Sequence, residues 1–180
     1  AAATAYAALE KGPPALRVRA ATAKANSFYE QKKYAEAEKE YEAAAKAETD
    51  PKDEASASQK RRAQTGRARC LARQGKAADV VQDVIRAADP DDADLLGRAY
   101  AALGDAYRAA NKDQDAIIAF LTVDLVYNGL PECHAEALYN LVQLWQKVQN
   151  PERSREAQRV LQTSYPESRW TKSADASGKG

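Results

Sequence analysis

The chain has 180 residues, with 27 basic against 26 acidic and a net charge of +1, a length that makes one domain. That balance argues against a protein built mainly to bind DNA, RNA or a lipid surface, and no apolar run approaches the roughly 18 residues of a membrane-spanning helix. Alanine dominates, only 8 Gly and 7 Pro are present, and the prolines fall between helical windows, so an all-α chain without strands is expected.

The segment up to residue 12 reads as an N-terminal extension or the end of a preceding helix, and Gly12-Pro13-Pro14 separates it from the first long helix. The chain opens with Ala and contains no Met, which fits a processed mature protein or a domain cut from a longer one. The window ANSFYEQKKYAEAEKEYEAA then places Ala25, Phe28, Tyr34, Ala37, Tyr41 and Ala44 at helical spacing, and Asp50-Pro51 ends this first pair of helices. In TGRARCLARQGKAADVVQDVIRAA the same offsets give Ala68, Leu71, Gly75, Val80, Val84 and Ala87, with Asp89-Pro90-Asp91-Asp92 as the stop.

The third window, Ala99 to His134, carries the strongest pattern. Tyr100, Leu103, Gly104 and Tyr107 form one helical face at i, i+3, i+4 and i+7; Asn111-Lys112-Asp113 is a turn; Ala116, Phe120 and Val123 lie on a second helix; and Gly129-Leu130-Pro131 ends it. The fourth window gives Leu141, Val142, Trp145, Ala157 and Leu161 around the turn Asn150-Pro151-Glu152, a turn about three residues longer than the pattern allows. Tyr165-Pro166-Glu167-Ser168 ends that helix, Arg169 to Ala174 can begin a capping helix, and residues 175–180 read as a flexible polar tail.

The third window resembles the tetratricopeptide repeat, whose pattern is an aromatic, Leu, Gly and Tyr followed by Ala, Phe and Ala at these offsets. Small residues such as Gly104 and Ala116 let two antiparallel helices approach closely. The anchors Ala37, Val80, Ala116 and Ala157 are separated by 43, 36 and 41 residues, against the family's usual period of about 34, which places extra residues in loops or lengthened helices. The resemblance implies a TPR-like right-handed α-solenoid of about four helix-turn-helix pairs over residues 13–174, with repeats near 17–50, 56–90, 93–129 and 132–168.

In tetratricopeptide arrays the first helix of each pair lines a concave groove that receives a peptide or a partner helix. That geometry selects Arg19, Thr22, Asn26, Tyr29 and Lys33 in the first repeat, then Arg62, Thr65, Arg69, Arg73 and Lys76 in the second. Arg98, Asp105 and Arg108 follow in the third, and Glu136, Tyr139, Gln143 and Lys147 in the fourth. Such a groove would be basic at its N-terminal end and suited to carboxylate-rich or phosphorylated ligands. Arg61, Arg62, Arg67, Arg69 and Arg73 crowd one helix that reads as containing no acid, whereas Glu36, Glu38, Glu40 and Glu42 crowd the helix before it. The plainer reading of both runs is solvated faces that pair across the hairpin.

The carboxylate clamp of chaperone-binding members of the family is matched only at Asn26 and, approximately, Arg98. Thr22 stands where its Lys belongs, Gly66 replaces its second Asn, and Ala101 and Ala102 fill the remaining basic region. The C-terminal third is similar to bacterial cell-envelope tetratricopeptide proteins of the Tol-Pal coordinator and outer-membrane-assembly lipoprotein type, whose helices end in Tyr-Pro-x-Ser as at Tyr165, Pro166 and Ser168. That likeness implies a periplasmic or envelope location.

Catalytic candidates are few. His134 follows Cys133 directly, and adjacent side chains diverge, so the two form no nucleophile and base without a tertiary contact. One His and two distant Cys make no zinc site. Cys70 reads as a small core residue, and a bridge from Cys70 to Cys133 would span positions usually too far apart. No phosphate-binding glycine loop follows a strand. Trp145 and Trp170 read as packing residues, whereas Tyr29 and Tyr139 can face the groove.

The expectation is therefore a non-enzymatic scaffold without cofactor or metal, binding another protein or peptide of acidic character, with no nucleic acid and no membrane insertion. The residues expected to bind are Arg19, Asn26, Tyr29, Arg62, Arg69, Arg73, Arg98, Arg108 and Tyr139. The alternative is a self-assembling homo-oligomer joined through its terminal helices, Ala1 to Glu10 and the region near Trp170.

Overall fold

The computed structural model describes residues 12–50, 52–74 and 78–177; the expected extension over Ala1 to Glu10, the residues Pro51, Gly75 and Lys76, and residues 178–180 lie outside them. Among the described residues the regular structure is helical, with no strand. Helices α1 (Pro14–Glu30), α2 (Tyr34–Lys46), α3 (Glu54–Arg73) and α4 (Ala78–Ala87) belong to a first compact unit that ends at Ala88. Helices α5 (Ala93–Ala109), α6 (Asp113–Val126), α7 (Pro131–Lys147), α8 (Pro151–Ser164) and α9 (Arg169–Ser177) belong to a second that begins at Asp89. The last helix continues past Ala174, where the sequence reading had placed the start of a tail.

In the first unit α1 packs on α2 and α3, α2 on α3, and α3 on α4. Its core joins Val18 and Ala25 of α1, Ala37, Tyr41 and Ala44 of α2, and Ala63 and Cys70 of α3. In the second unit α5 packs on α6 and α7, α6 on α7, α7 on α8, and α9 on both α7 and α8. Phe120, Val123, Leu138, Leu141 and Leu161 fill its centre.

Three turns repeat one another atom for atom. Lys32, Asn111 and Gln149 take left-handed φ values of 60°, 56° and 59°. Their amides donate to the carbonyls of Tyr29, Arg108 and Gln146, and the next amides, of Lys33, Lys112 and Asn150, reach back to Phe28, Tyr107 and Trp145 at 2.8–3.0 Å. This is the Schellman ending of a helix, which satisfies carbonyls left over in its last turn. The following helix opens with the same backbone bond each time, Ala37, Ala116 and Ser154 donating to the carbonyls of Lys33, Lys112 and Asn150.

That correspondence corrects the alignment of the fourth window. Ser154, almost fully buried, and not Ala157, holds the place of Ala37 and Ala116, so its turn is no longer than the others. Its hydroxyl donates to the Val142 carbonyl of α7 at 3.0 Å, which satisfies a polar group at a crossing where only a small residue fits. The second window shifts by one residue as well. Val81 is fully buried, whereas Val80 and Val84 line an open groove.

Two glycines set the closest helix approaches. A Cβ on Gly104 would lie 2.6 Å from the Phe120 ring, and one on Gly66 only 2.4 Å from the Tyr41 ring. The Tyr41 ring is buried and its hydroxyl donates to Asn26 Oδ1, so it has little room to retreat. Gly66→Ala is expected to destabilise by about 1–2 kcal/mol, overpacking outweighing the gain of about 1 kcal/mol in helix propensity. Urea denaturation followed by circular dichroism tests this, and a midpoint that rises would show that the ring yields.

Candidate functional site

Arg62, Arg69 and Arg73 recur along α3 at i, i+7 and i+11, which puts them on one face of the helix. Tyr29 occupies the last turn of α1, the helix packed beside α3. The Arg69 guanidinium lies over the Tyr29 ring at 5.1 Å from its centroid, and Arg73 Nε donates to the Tyr29 hydroxyl at 3.3 Å. Tyr34 meets the same ring edge-on at 5.3 Å. One aromatic side chain thus orients two guanidinium groups, one through its electron-rich face and one through its oxygen.

The electrostatics of this cluster are mixed but net positive. The charges of Arg69 and Glu30 both act on the buried Tyr41 hydroxyl, which burial pushes well above the ordinary tyrosine range. Cys70, buried beneath the cluster, has its thiol pushed up to about 12 by burial and then by the charge of Glu38, so it stays protonated near neutrality. Gln74 donates to Glu38 across the helices at 2.9 Å.

Other basic residues of this unit pair either across a hairpin or within their own helix. Arg61 pairs with Glu54 at 2.8 Å, so α3 does contain an acid in its first turn, contrary to the acid-free reading of the arginine run. Arg67 lies 3.7 Å from Glu42, which also receives Lys46, and Lys24 meets Glu40 at 2.8 Å. The Lys46 hydrogen bond, and then the charge of Arg67, hold the Glu42 carboxyl below the usual carboxylate range. Pairing across the hairpin therefore accounts for Lys24 and Arg67, whereas Arg69 and Arg73 turn to Tyr29. Arg19 and Arg62 are exposed on α1 and α3, and Asn26 is the acceptor for Tyr41.

In the second unit the expected site residues are differently engaged. Arg98 donates twice to Asp94 of its own helix at 3.2 Å. Arg108 donates to Asn140 and, at 3.1 Å, to Gln143, both on α7. Tyr139 packs against Trp170 of α9 with ring centroids 5.3 Å apart. Asp105, Glu136 and Asn140 are buried, so this face is a packed polar layer, and the positive character is already gone at the third helix pair.

A constellation that the sequence reading set aside lies nearby. His134, in the first turn of α7 and mostly buried, has Nε2 2.7 Å from Asp124 Oδ1 and Nδ1 2.7 Å from the Tyr165 hydroxyl. Its chain neighbour Cys133 points elsewhere, its Sγ donating to the Gly97 carbonyl at 3.4 Å. Burial, and then the Asp124 charge, raise the Tyr165 hydroxyl above the ordinary tyrosine range, so this phenol is held as a proton donor. Cys70 and Cys133 are both free thiols.

An open groove of about 380 Å³ lies between α2, α3 and α4, lined by Glu42, Ala45, Lys46, Arg67, Val80 and Val84 among others. Among the described residues no group of three or more His, Cys, Asp or Glu is placed to hold a metal, and no helix is long and apolar enough to cross a membrane. Comparison with known proteins finds no family model, curated protein or solved structure that matches this chain.

Proposed function

We propose that this chain is a tetratricopeptide-like interaction scaffold without catalytic activity, its helix pairs continuing as a short right-handed solenoid, and that the α1/α3 face binds an acidic peptide segment of a partner protein. The observation that carries the reading is the pair of guanidinium groups, Arg69 and Arg73, oriented by Tyr29. Side chains already held in place lose less freedom when a carboxylate arrives, and guanidinium groups offer carboxylates paired donors. The packing of two first helices within each unit, α1 on α3 and α5 on α7, together with the recurring Schellman turn, supports the repeat assignment.

A bacterial envelope setting belongs to the same proposal and is supported only by the likeness of the C-terminal third. Tyr165 and Ser168, which carry that likeness, also have local duties here: one bonds His134, and the hydroxyl of the other accepts the Trp170 amide.

Fluorescence anisotropy with a labelled hexaglutamate peptide tests the reading. The wild-type chain is expected to bind with an affinity that falls as salt rises. Reversing Arg62, Arg69 and Arg73 together to Glu should weaken binding at least about tenfold, a loss of about 1.4 kcal/mol or more, while circular dichroism stays helical. Equal affinity in the triple variant would remove the site.

A further inference from the structure

A different pair of surfaces carries an inference independent of the basic face. Helix α6 carries apolar side chains on more than the face it buries, as helices covered on several sides do. Its inner face supplies Ala116, Ile117, Phe120 and Val123 to the core, yet Ile118, Leu125 and Val126 stand outside at 64%, 72% and 63% exposure. With Thr122 between them, Ile118 and Leu125 form a two-turn row at i, i+4 and i+7. Asp115 is the exposed charge beside this row, since Asp113 is paired with Lys147 and Asp124 with His134.

The groove between α2, α3 and α4 has a matching form. Val80, Val84 and Ala87 of α4, also at i, i+4 and i+7, make a mostly aliphatic wall that includes Asp83, itself paired with Arg86, and Ala45 faces them from α2. Both rows span seven steps of helical rise, about 10 Å. On the α2/α3 side the rim carries Lys46 and Arg67 around the single carboxylate of Glu42, a net positive edge opposite in sign to Asp115.

We infer that the α6 row of one chain seats in the α2/α3/α4 groove of a second copy, joining chains head to tail. Aliphatic knobs then enter an aliphatic slot of equal length, and Asp115 meets the Lys46/Arg67 rim. The contact uses two different patches, so it is heterologous: a joined pair keeps one free row at one end and one free groove at the other, and assembly does not stop at two copies unless it closes as a ring.

Light scattering on three samples tests this: wild type, Leu125→Lys in the row, and Val84→Lys in the groove, with Ile118→Lys and Ala87→Lys as second choices should either fail to retain helicity. The wild-type mass is expected to rise with concentration toward about 1 mM, the weak end of specific association. Each variant alone should stay at the mass of one chain. Mixed in equal amounts they should approach twice that mass, because the intact groove of one accepts the intact row of the other. A wild type that remains at one chain's mass overturns the inference. So does a Val84→Lys variant that still self-associates, which would mean that α6 pairs with itself, and so does a mixture that stays monomeric.

Discussion

Replacing Phe120 by alanine is expected to cost the second unit about 3–5 kcal/mol, the range for deleting a fully buried aromatic ring, and so a large part of the stability of a unit this size. Phe120 is the largest fully buried side chain among the described residues. It lies on Gly104 of α5 and within the cluster that includes Leu138 and Leu141 of α7, so its removal opens a void between three helices. The readout is specific, because the two tryptophans of the chain, Trp145 and Trp170, both belong to this unit and pack against the same core. Their fluorescence in urea should show an earlier transition in Phe120→Ala. A second substitution sharpens the test through a change of sign. Gly104→Ala alone places a Cβ 2.6 Å from the ring and should destabilise, whereas in the Phe120→Ala background the same methyl enters the void and adds helix propensity, so it should stabilise. Destabilisation of similar size in both backgrounds would show that Gly104 is not reading the ring.

That third window was legible because its signal is local. An aromatic nine residues before a small residue, Tyr107 to Ala116, states both the length of the turn and the closeness of the crossing. Phe28 to Ala37 says the same, and so does Trp145 to Ser154, but there the small residue is a serine, which periodicity of apolar residues passes over. Nothing in an apolar count reveals that its hydroxyl is satisfied by the Val142 carbonyl. Between Val80 and Val81 the ambiguity is of another kind: two adjacent valines fit the helical pattern one residue apart, and only packing against α3 decides that Val81 goes inside.

The candidate site was less legible the farther its parts lie apart in sequence. Arg62, Arg69 and Arg73 share a face by helical spacing alone, and the resemblance put Tyr29 on the neighbouring first helix. What the sequence could not order was competition among acceptors. Arg98 finds an aspartate four residues earlier, and Arg108 finds Asn140, 32 residues along the chain. An arginine chosen for its position can thus be occupied by a partner that no local pattern announces.

Loss of the His134 ring is the last expected result with a large effect. His134→Ala should destabilise the second unit by about 2–4 kcal/mol, since it removes two hydrogen bonds, one of them to a carboxylate, and leaves part-buried partners behind. In the neutral ring Nε2 carries the proton donated to Asp124, because a carboxylate only accepts, and Nδ1 accepts from the Tyr165 hydroxyl. The histidine thereby ties the end of α6 and the residue after α8 to the first turn of α7. Tyr165→Phe, which removes only the phenol, should cost less and should change the alkaline limb. The Tyr165 hydroxyl is raised above its ordinary value by burial and by Asp124, so above about pH 10 the unfolded chain releases this proton before the folded one does, and stability falls as pH rises. Tryptophan fluorescence in urea at pH 8 and pH 10.5 should show that fall in the wild type and a smaller one in Tyr165→Phe. An equal fall in both would assign the alkaline sensitivity to other groups, and an unchanged midpoint in His134→Ala would reduce the three-residue chain to a surface contact.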